Sequence, residues 1–295
     1  MSLPAAFVSV ILIWSTTPLA IKWSAVGVGF SFAVFLRMAV GALLCAALLV
    51  AWRVPLPLHR KALHAYLAGG LSMFGAMVLT YWSSQFVSSG MIAVLFGLSP
   101  LITSLGAMMW LKEEAITPSK LAGMAMGLLG LFLVFRGGLD LRAGSAVGLL
   151  ALFMAVVSQS LGLVWLKRIG DDSPPLAMTL GILVVALPLF FAAWWLADGK
   201  VPADMPERAV AATLYLGTFG SVLGFALYYY LIKHMEAGRI ALITLITPVM
   251  ALLLGHGLNN EAVSAQVWLG TASIVSGLCL HRWGEQWLKR MAKQA

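Results

Sequence analysis

AVLFGLSPLITSLGAMMWLKEE, residues 93–114, sets Pro100 inside an apolar run that ends in two acids, Glu113 and Glu114. ALITLITPVMALLLGHGLNNE, residues 241–261, repeats the layout around Pro248 and Glu261. Proline lacks a backbone donor and clashes with the carbonyl one turn earlier, so a helix interior is a costly place for it. Sliding the chain along itself until Pro100 falls on Pro248 brings other identities with it, without a gap. Gly69 meets Gly217, Leu79 meets Leu227, Tyr81 meets Tyr229, Gly90 meets Gly238, Ile92 meets Ile240, Leu105 meets Leu253 and Glu113 meets Glu261. A match at fixed spacing is the signature of a duplication.

The 295 residues are 61% hydrophobic and 10% charged, with a mean hydropathy of +0.95. Soluble domains carry about 25% charged residues, so this composition places the chain in lipid. A bilayer core takes about 20 apolar residues per helix. Runs of that kind start near Leu3, Phe30, Ala65, Gly90, Pro118, Ala146, Leu176, Ala209, Ile240 and Ala265. The expected fold is an all-α integral membrane protein of ten transmembrane helices in two copies of five, residues 1–140 and 141–295. The stretch RGGLDLRAGSA, Arg136 to Ala146, is the turn between them. Five is odd, so the second copy enters from the opposite face, and the repeats are inverted. Inverted repeats recur in secondary transporters, whose sites lie near the midplane between the halves. The first run has no basic residue ahead of it and exceeds a signal-peptide core, which reads as a retained helix.

The net charge of +8 reports orientation. With the N-terminus in the cytoplasm, inner loops and a short basic tail hold Arg53, Arg60, Lys61, Lys112, Lys120, Lys167, Arg168, Lys233, Arg239, Arg282, Lys289, Arg290 and Lys293. Outer loops hold Lys22, Arg136, Arg142, Lys200 and Arg208, leaving Arg37 inside the second run. Positive residues gather on the cytoplasmic side, so both termini are expected there and no nucleic-acid partner is implied. Cys45 and Cys279 fall inside apolar runs, a pattern of small buried residues and not of a disulfide or metal framework.

The opening runs read LIWSTTPLAIKW and FLRMAVGALL. They are followed by VLTYWSSQFVSSG, the Pro100 run ending at Glu113, and LAGMAMGLLGLFLV. This order resembles the EamA-type family of the drug/metabolite transporter superfamily, and within it the bacterial exporters of aromatic and other amino acids. The second copy keeps ALYYYLIKHMEAG, Pro248, Glu261 and WLGTASIVSGLCL. Its opening run, FMAVVSQSLGLVWLKR, retains Ser158 but lacks the Trp-Ser pair. The resemblance implies ten helices, both ends inside, and export of small metabolites from the bacterial inner membrane.

Pro100 and Pro248 deny a hydrogen bond to the carbonyls of Phe96 and Thr244, which in hydrocarbon need a partner or a wet cavity. Helical spacing puts Ser99 beside Phe96 and Thr247 beside Thr244. The two prolines are therefore expected to bend their helices at equivalent gates, a packing kink being the plainer alternative. Tyr81 and Tyr229, matched across the copies, suit an apolar ring or an amine through the ring face; an interfacial belt is the competing account. Trp14 and Thr17 on the first run, and Ser158 and Gln159 on the sixth, complete the expected substrate lining. Hydroxyls also return to carbonyls one turn back, and the Gln159 amide could equally bridge two helices. Lys22 is expected to snorkel to water, and Arg37 to find a structural partner or the outer interface. Glu113 and Glu261 read as boundary markers.

The eleven acids lie in loops, helix ends or the tail, so no mid-membrane carboxylate relay is visible. No HExxH or GxSxG and no clustered histidines support the rival reading of a lipid-modifying enzyme. The expectation is a non-ATP transporter with no catalytic residue, cofactor or metal. It works as a monomer in the bilayer on amino acids or similar small molecules. Lipophilic cations, drugs and nucleotide-type metabolites are the alternative cargo.

Overall fold

The computed structural model describes residues 2–111, 117–138, 145–235 and 237–294. Glu113 and Glu114 lie outside the described residues, and so do the side chains of Tyr229 and Thr244. Every regular element among the described residues is helical. In order they are α1 (Leu3–Ala25), α2 (Phe30–Ala51), α3 (Arg60–Ser83), α4 (Ser89–Phe96), α5 (Ser99–Leu111), α6 (Pro118–Gly138), α7 (Ser145–Ile169) and α8 (Pro175–Ala197). There follow α9 (Glu207–Tyr215), a π-helical stretch (Leu216–Leu223), α10 (Gly224–His234), α11 (Ala237–Asn259) and α12 (Ala265–Gln294). Helices prevail because in hydrocarbon each backbone N–H and C=O must be met within its own segment.

Among the described residues eight stretches are long and apolar enough to cross a membrane, with Ser89–Leu111 counted as one; Ile246–Asn259 is a shorter apolar helix. The protein is a multi-pass membrane protein. The last expected span is the N-terminal part of a 30-residue helix, α12, which runs on through Arg282 and Glu285 into the polar tail. The turn between α1 and α2 is tight because Gly27 and Gly29 take φ of 74° and 87°, values that side-chain-bearing residues avoid.

Matched helices lie side by side and run in opposite directions. On α2 and α8, Phe32 meets Trp194 and Phe35 meets Phe191, with ring centroids 5.4 and 5.6 Å apart. On α4 and α11, a Cβ at Gly90 would strike Leu252 and one at Gly97 would lie 3.2 Å from Pro248. On α6 and α12 the backbones nearly touch. A Cβ on Gly123 would sit 2.6 Å from the Gly277 carbonyl, and one on Gly130 2.6 Å from that of Gly270. Small residues allow this approach where lipid is as apolar as the side chains and burial alone drives nothing.

The remaining pairings exchange in the same way. α3 packs on α7 and α8, while α9, the π stretch and α10 pack on α1, and the π stretch packs on α2. α1 packs on α11, as α5 packs on α7.

The two prolines are not equivalent in the structure. The chain breaks between α4 and α5, where Gly97 N–H is shared between Ala93 and Val94 carbonyls and Leu98 N–H turns back to Leu95. α11 instead continues as helix through Pro248. Proline disfavours helical backbone in the residue before it, and glycine three residues ahead of Pro100 lowers the cost of the break. At the matching place in the second copy stands Leu245, a good helix former. Beside this break, α5, α6 and α7 enclose a groove of about 430 Å³ lined by Leu105, Trp110, Met124, Phe153, Leu161 and other apolar residues. A small-molecule site needs a few convergent polar groups, so this groove suits hydrocarbon.

Candidate substrate-binding site

One group of interior polar residues lies between α1, α2 and the π-helical stretch. Pro18 sits inside α1 and cannot donate to the carbonyl of Trp14. Next to it, Thr16 donates to the Leu12 carbonyl at 2.7 Å and shares a 2.6 Å hydrogen bond with the Tyr215 hydroxyl. Thr17 donates to the Ile13 carbonyl at 2.7 Å. Ser15 Oγ is buried and without a partner.

Opposite this face the chain widens from α to π geometry over Leu216–Leu223. Such stretches are rare and gather at functional sites. Glycines let α2 press against it: a Cβ on Gly217 would lie 2.5 Å from Val40, and one on Gly41 3.3 Å from Ser221 Cβ. The close approach drives Arg37 into the contact. Its side chain is 5% exposed, and its Nε donates to Ser221 Oγ at 3.3 Å. Its Nη1 has no partner, and the carboxylate ion pairs found among the described residues belong to Lys22 and His59. One turn along, Trp14 packs on Tyr228 with centroids 4.7 Å apart.

Of the residues expected to line a substrate site, Trp14 and Thr17 fall in this cluster. Tyr81 is fully buried, and its hydroxyl has no partner among the described residues. Phe96 packs into the apolar cluster around Leu95 and Leu98. Ser99 pairs with Ser160 at 3.3 Å. Both Ser158 polar groups face α3: its hydroxyl donates to the Ser72 carbonyl at 3.2 Å, and its carbonyl accepts from Ser72 Oγ at 2.9 Å. Gln159 and Thr247 are half-buried. Arg37, Ser221 and the π stretch escaped sequence reasoning as site residues. The usable signal was an arginine well inside an apolar run, facing a glycine-rich segment.

A second polar cluster closes one end of the bundle. Glu261 is 9% exposed and accepts from Ser89 N–H at 2.9 Å, Ser89 Oγ at 2.8 Å and Asn259 Nδ2 at 2.9 Å. Lys22 Nζ lies 3.6 Å from its other oxygen and donates to the Val87 carbonyl at 3.0 Å. Lys22 therefore does not snorkel to water, and Glu261 is more than a boundary marker: it ties the ends of α1 and α11 to the start of α4. Its carboxylate also complements the positive N-terminal end of that helix. Burial pushes the Glu261 carboxyl up, but Ser89, Asn259 and Lys22 outweigh it and hold it below the usual carboxylate range. Trp23 extends the cluster, donating to Asn259 at 2.9 Å while Arg208 lies 3.7 Å over its ring. At the opposite end, His59 and Asp171 meet at 2.8 Å. There too burial of Asp171 is outweighed, by Ser173 and His59, and its carboxyl is lowered.

A duplicated helical bundle with one helix broken between α4 and α5 and a buried polar cluster among α1, α2 and the π-helical stretch has the form of a membrane transporter. The chain matches the EamA-like transporter family twice, over residues 3–136 and 146–283, and belongs to that family. It is 30% identical over 246 residues to the "Uncharacterized inner membrane transporter YedA" of Escherichia coli K12, covering 82% of this chain and 78% of that one. It is 23% identical over 276 residues to the "Uncharacterized transporter YoaV" of Bacillus subtilis, covering 93% and 94%. To the "Probable amino-acid metabolite efflux pump" of Escherichia coli K12 it is 26% identical over 186 residues, covering 60% and 62%. A solved crystal structure 21% identical to it superposes with a TM-score of 0.66 over 96% of this chain and 98% of the other, a likeness of fold. The protein is thus a membrane transporter acting on a small molecule.

Proposed function

We propose that the protein exports small metabolites, amino acids including aromatic ones foremost, across a bacterial inner membrane by alternating access. Ten spans form two inverted five-helix repeats, residues 1–140 and 141–295, with both termini cytoplasmic. Transport needs no ATP and one chain suffices. The observation that carries this reading is the cluster around Arg37. It offers a desolvated cation, hydroxyls and the Trp14–Tyr228 ring pair at the place where Pro18 removes a backbone hydrogen bond from α1 and the facing helix widens. An amino acid presents matching chemistry, and a metabolite exporter needs a site that holds it loosely between two gates.

The Lys22–Glu261–Ser89 cluster then acts as the latch of the outer gate. With it made, α1, α4 and α11 are drawn together at the outer end, and the site opens to the cytoplasm. The antiparallel contacts of matched helices support rocking of one half against the other. The name of an amino-acid efflux relative supports the cargo class. Purified protein in liposomes loaded with labelled amino acids tests the reading. Efflux of phenylalanine or leucine above that of empty vesicles is expected; no flux for any of the twenty would end it.

A further inference from the structure

We propose that Arg37 is the anion anchor of the transport site, so that its cargo must carry a free carboxylate; this rests on the exporter reading above. Arg37, 5% exposed at membrane depth, donates from Nε to a neutral hydroxyl, Ser221, and among the described residues its buried Nη1 has no partner. The sequence places no Asp or Glu inside an apolar run to neutralise it. Charged groups are retained at such depth when they meet a partner or serve transport. The missing partner is an anion from outside the chain.

Gly220 is where the backbone of the facing stretch comes up to the guanidinium with no side chain in between. A Cβ there would make ordinary contacts, 3.5 Å from Arg37 Nη2 and from Leu216 Cδ2 and 3.7 Å from Thr17 Oγ1. A carboxylate over this glycine reaches the guanidinium fork, whose planar donors match its two oxygens. Thr17 has given its proton to Ile13, and its lone pairs remain for the cargo's ammonium. Gly224, four residues on, packs closely on α1, where a Cβ would lie 3.2 Å from the Trp14 indole Nε1 and 3.3 Å from Ile13. The Trp14 ring thus stands one turn from the guanidinium, where the cargo's side chain would be met. The same uncompensated cation repels a lipophilic cation, which sets amino acids apart from cationic drugs as cargo.

The test uses full-length protein in detergent and a panel of amino acids, each matched with its carboxamide, read by the shift of the thermal unfolding midpoint. Amino acids are expected to stabilise the wild type and their amides not to. Arg37→Gln should weaken the amino-acid response by about tenfold to a hundredfold, the worth of hydrogen bonds to a charged group. Gly220→Ala meets no side chain nearer than 3.5 Å, so it should fold as the wild type does while setting a methyl against Arg37 Nη2, and should show the same loss. Equal responses to acid and amide, no response to either, or a full response in Gly220→Ala would overturn the anchor. Liposome flux separates this from the parent reading. Acid-selective binding without flux keeps the anchor and removes the exporter. Flux with an unchanged acid-to-amide ratio in Arg37→Gln keeps the exporter and removes the anchor.

Discussion

Glu261 shows how far one side chain's role depends on what the fold brings to it. Its hydrogen bonds come from Ser89, Gly90 and Asn259, and its ion pair from Lys22, a residue at the far end of the sequence. Its carboxyl titrates below the ordinary 4.5 in the folded chain. Between the lowered value and 4.5 the unfolded state binds more protons than the folded one, so stability rises with pH there. The contribution is complete above about 4.5 and disappears as pH falls through the lowered value. Glu261→Gln should cost about 1.5–3 kcal/mol at pH 7 and flatten the acid side of the stability profile. Chemical unfolding of both proteins from pH 3 to 7 measures this, and parallel profiles would remove Glu261 from the account. If the cluster is the outer latch, the same substitution also raises the reactivity of a cysteine at position 17 toward an impermeant thiol reagent added from outside.

At the scale of the element, backbone contact decides which substitutions are felt. Gly130 and Gly270 place each other's carbonyl 2.6 to 2.7 Å from a would-be Cβ, so Gly130→Val must push α6 and α12 apart. A loss of about 1–3 kcal/mol is expected, as for overpacking generally. Gly257 has nothing within 4 Å, and Gly257→Ala on the same measure should be neutral or gain up to about 1 kcal/mol from helix propensity. Thermal unfolding of the two variants separates packing from composition. The α3–α7 contact gives a second case. Ser72 and Ser158 bond to each other's carbonyls, and interhelical bonds in membranes average about 0.6 kcal/mol. Ser158→Ala is expected to lower stability by that order and leave the KM for export unchanged; a raised KM would return Ser158 to the substrate lining.

Across the whole molecule, the proposed orientation rests on the distribution of charge. Lys and Arg crowd the loops on one side, so a fluorescent protein fused after Ala295 should fold and glow in the cytoplasm. Alkaline phosphatase joined within the linker after Arg142 should be active outside. An active C-terminal phosphatase fusion would invert the assignment, and with it the outer placement of the Lys22–Glu261 latch.

The sequence by itself determined the class and the plan. Hydropathy required membrane helices, the spacing of Pro100 and Pro248 required a duplication, and the order of motifs pointed to the family. These are properties of composition and period, which survive without knowing who touches whom. It also put Trp14 and Thr17 forward as lining, from the order of motifs and the hydroxyls of the first run, and both stand beside the Arg37 cluster. The tertiary structure decided the rest. Arg37 became a candidate site residue because Gly41, Gly217 and Gly220 bring the π-helical stretch against it. Lys22 found Glu261 across 239 positions of sequence, and Ser158 was turned to Ser72. Pro100 broke its helix while Pro248 did not, since glycine stands before one and Leu245 before the other. Long-range pairing of polar groups depends on which helices meet and at what height, and a repeating apolar pattern leaves both unspecified.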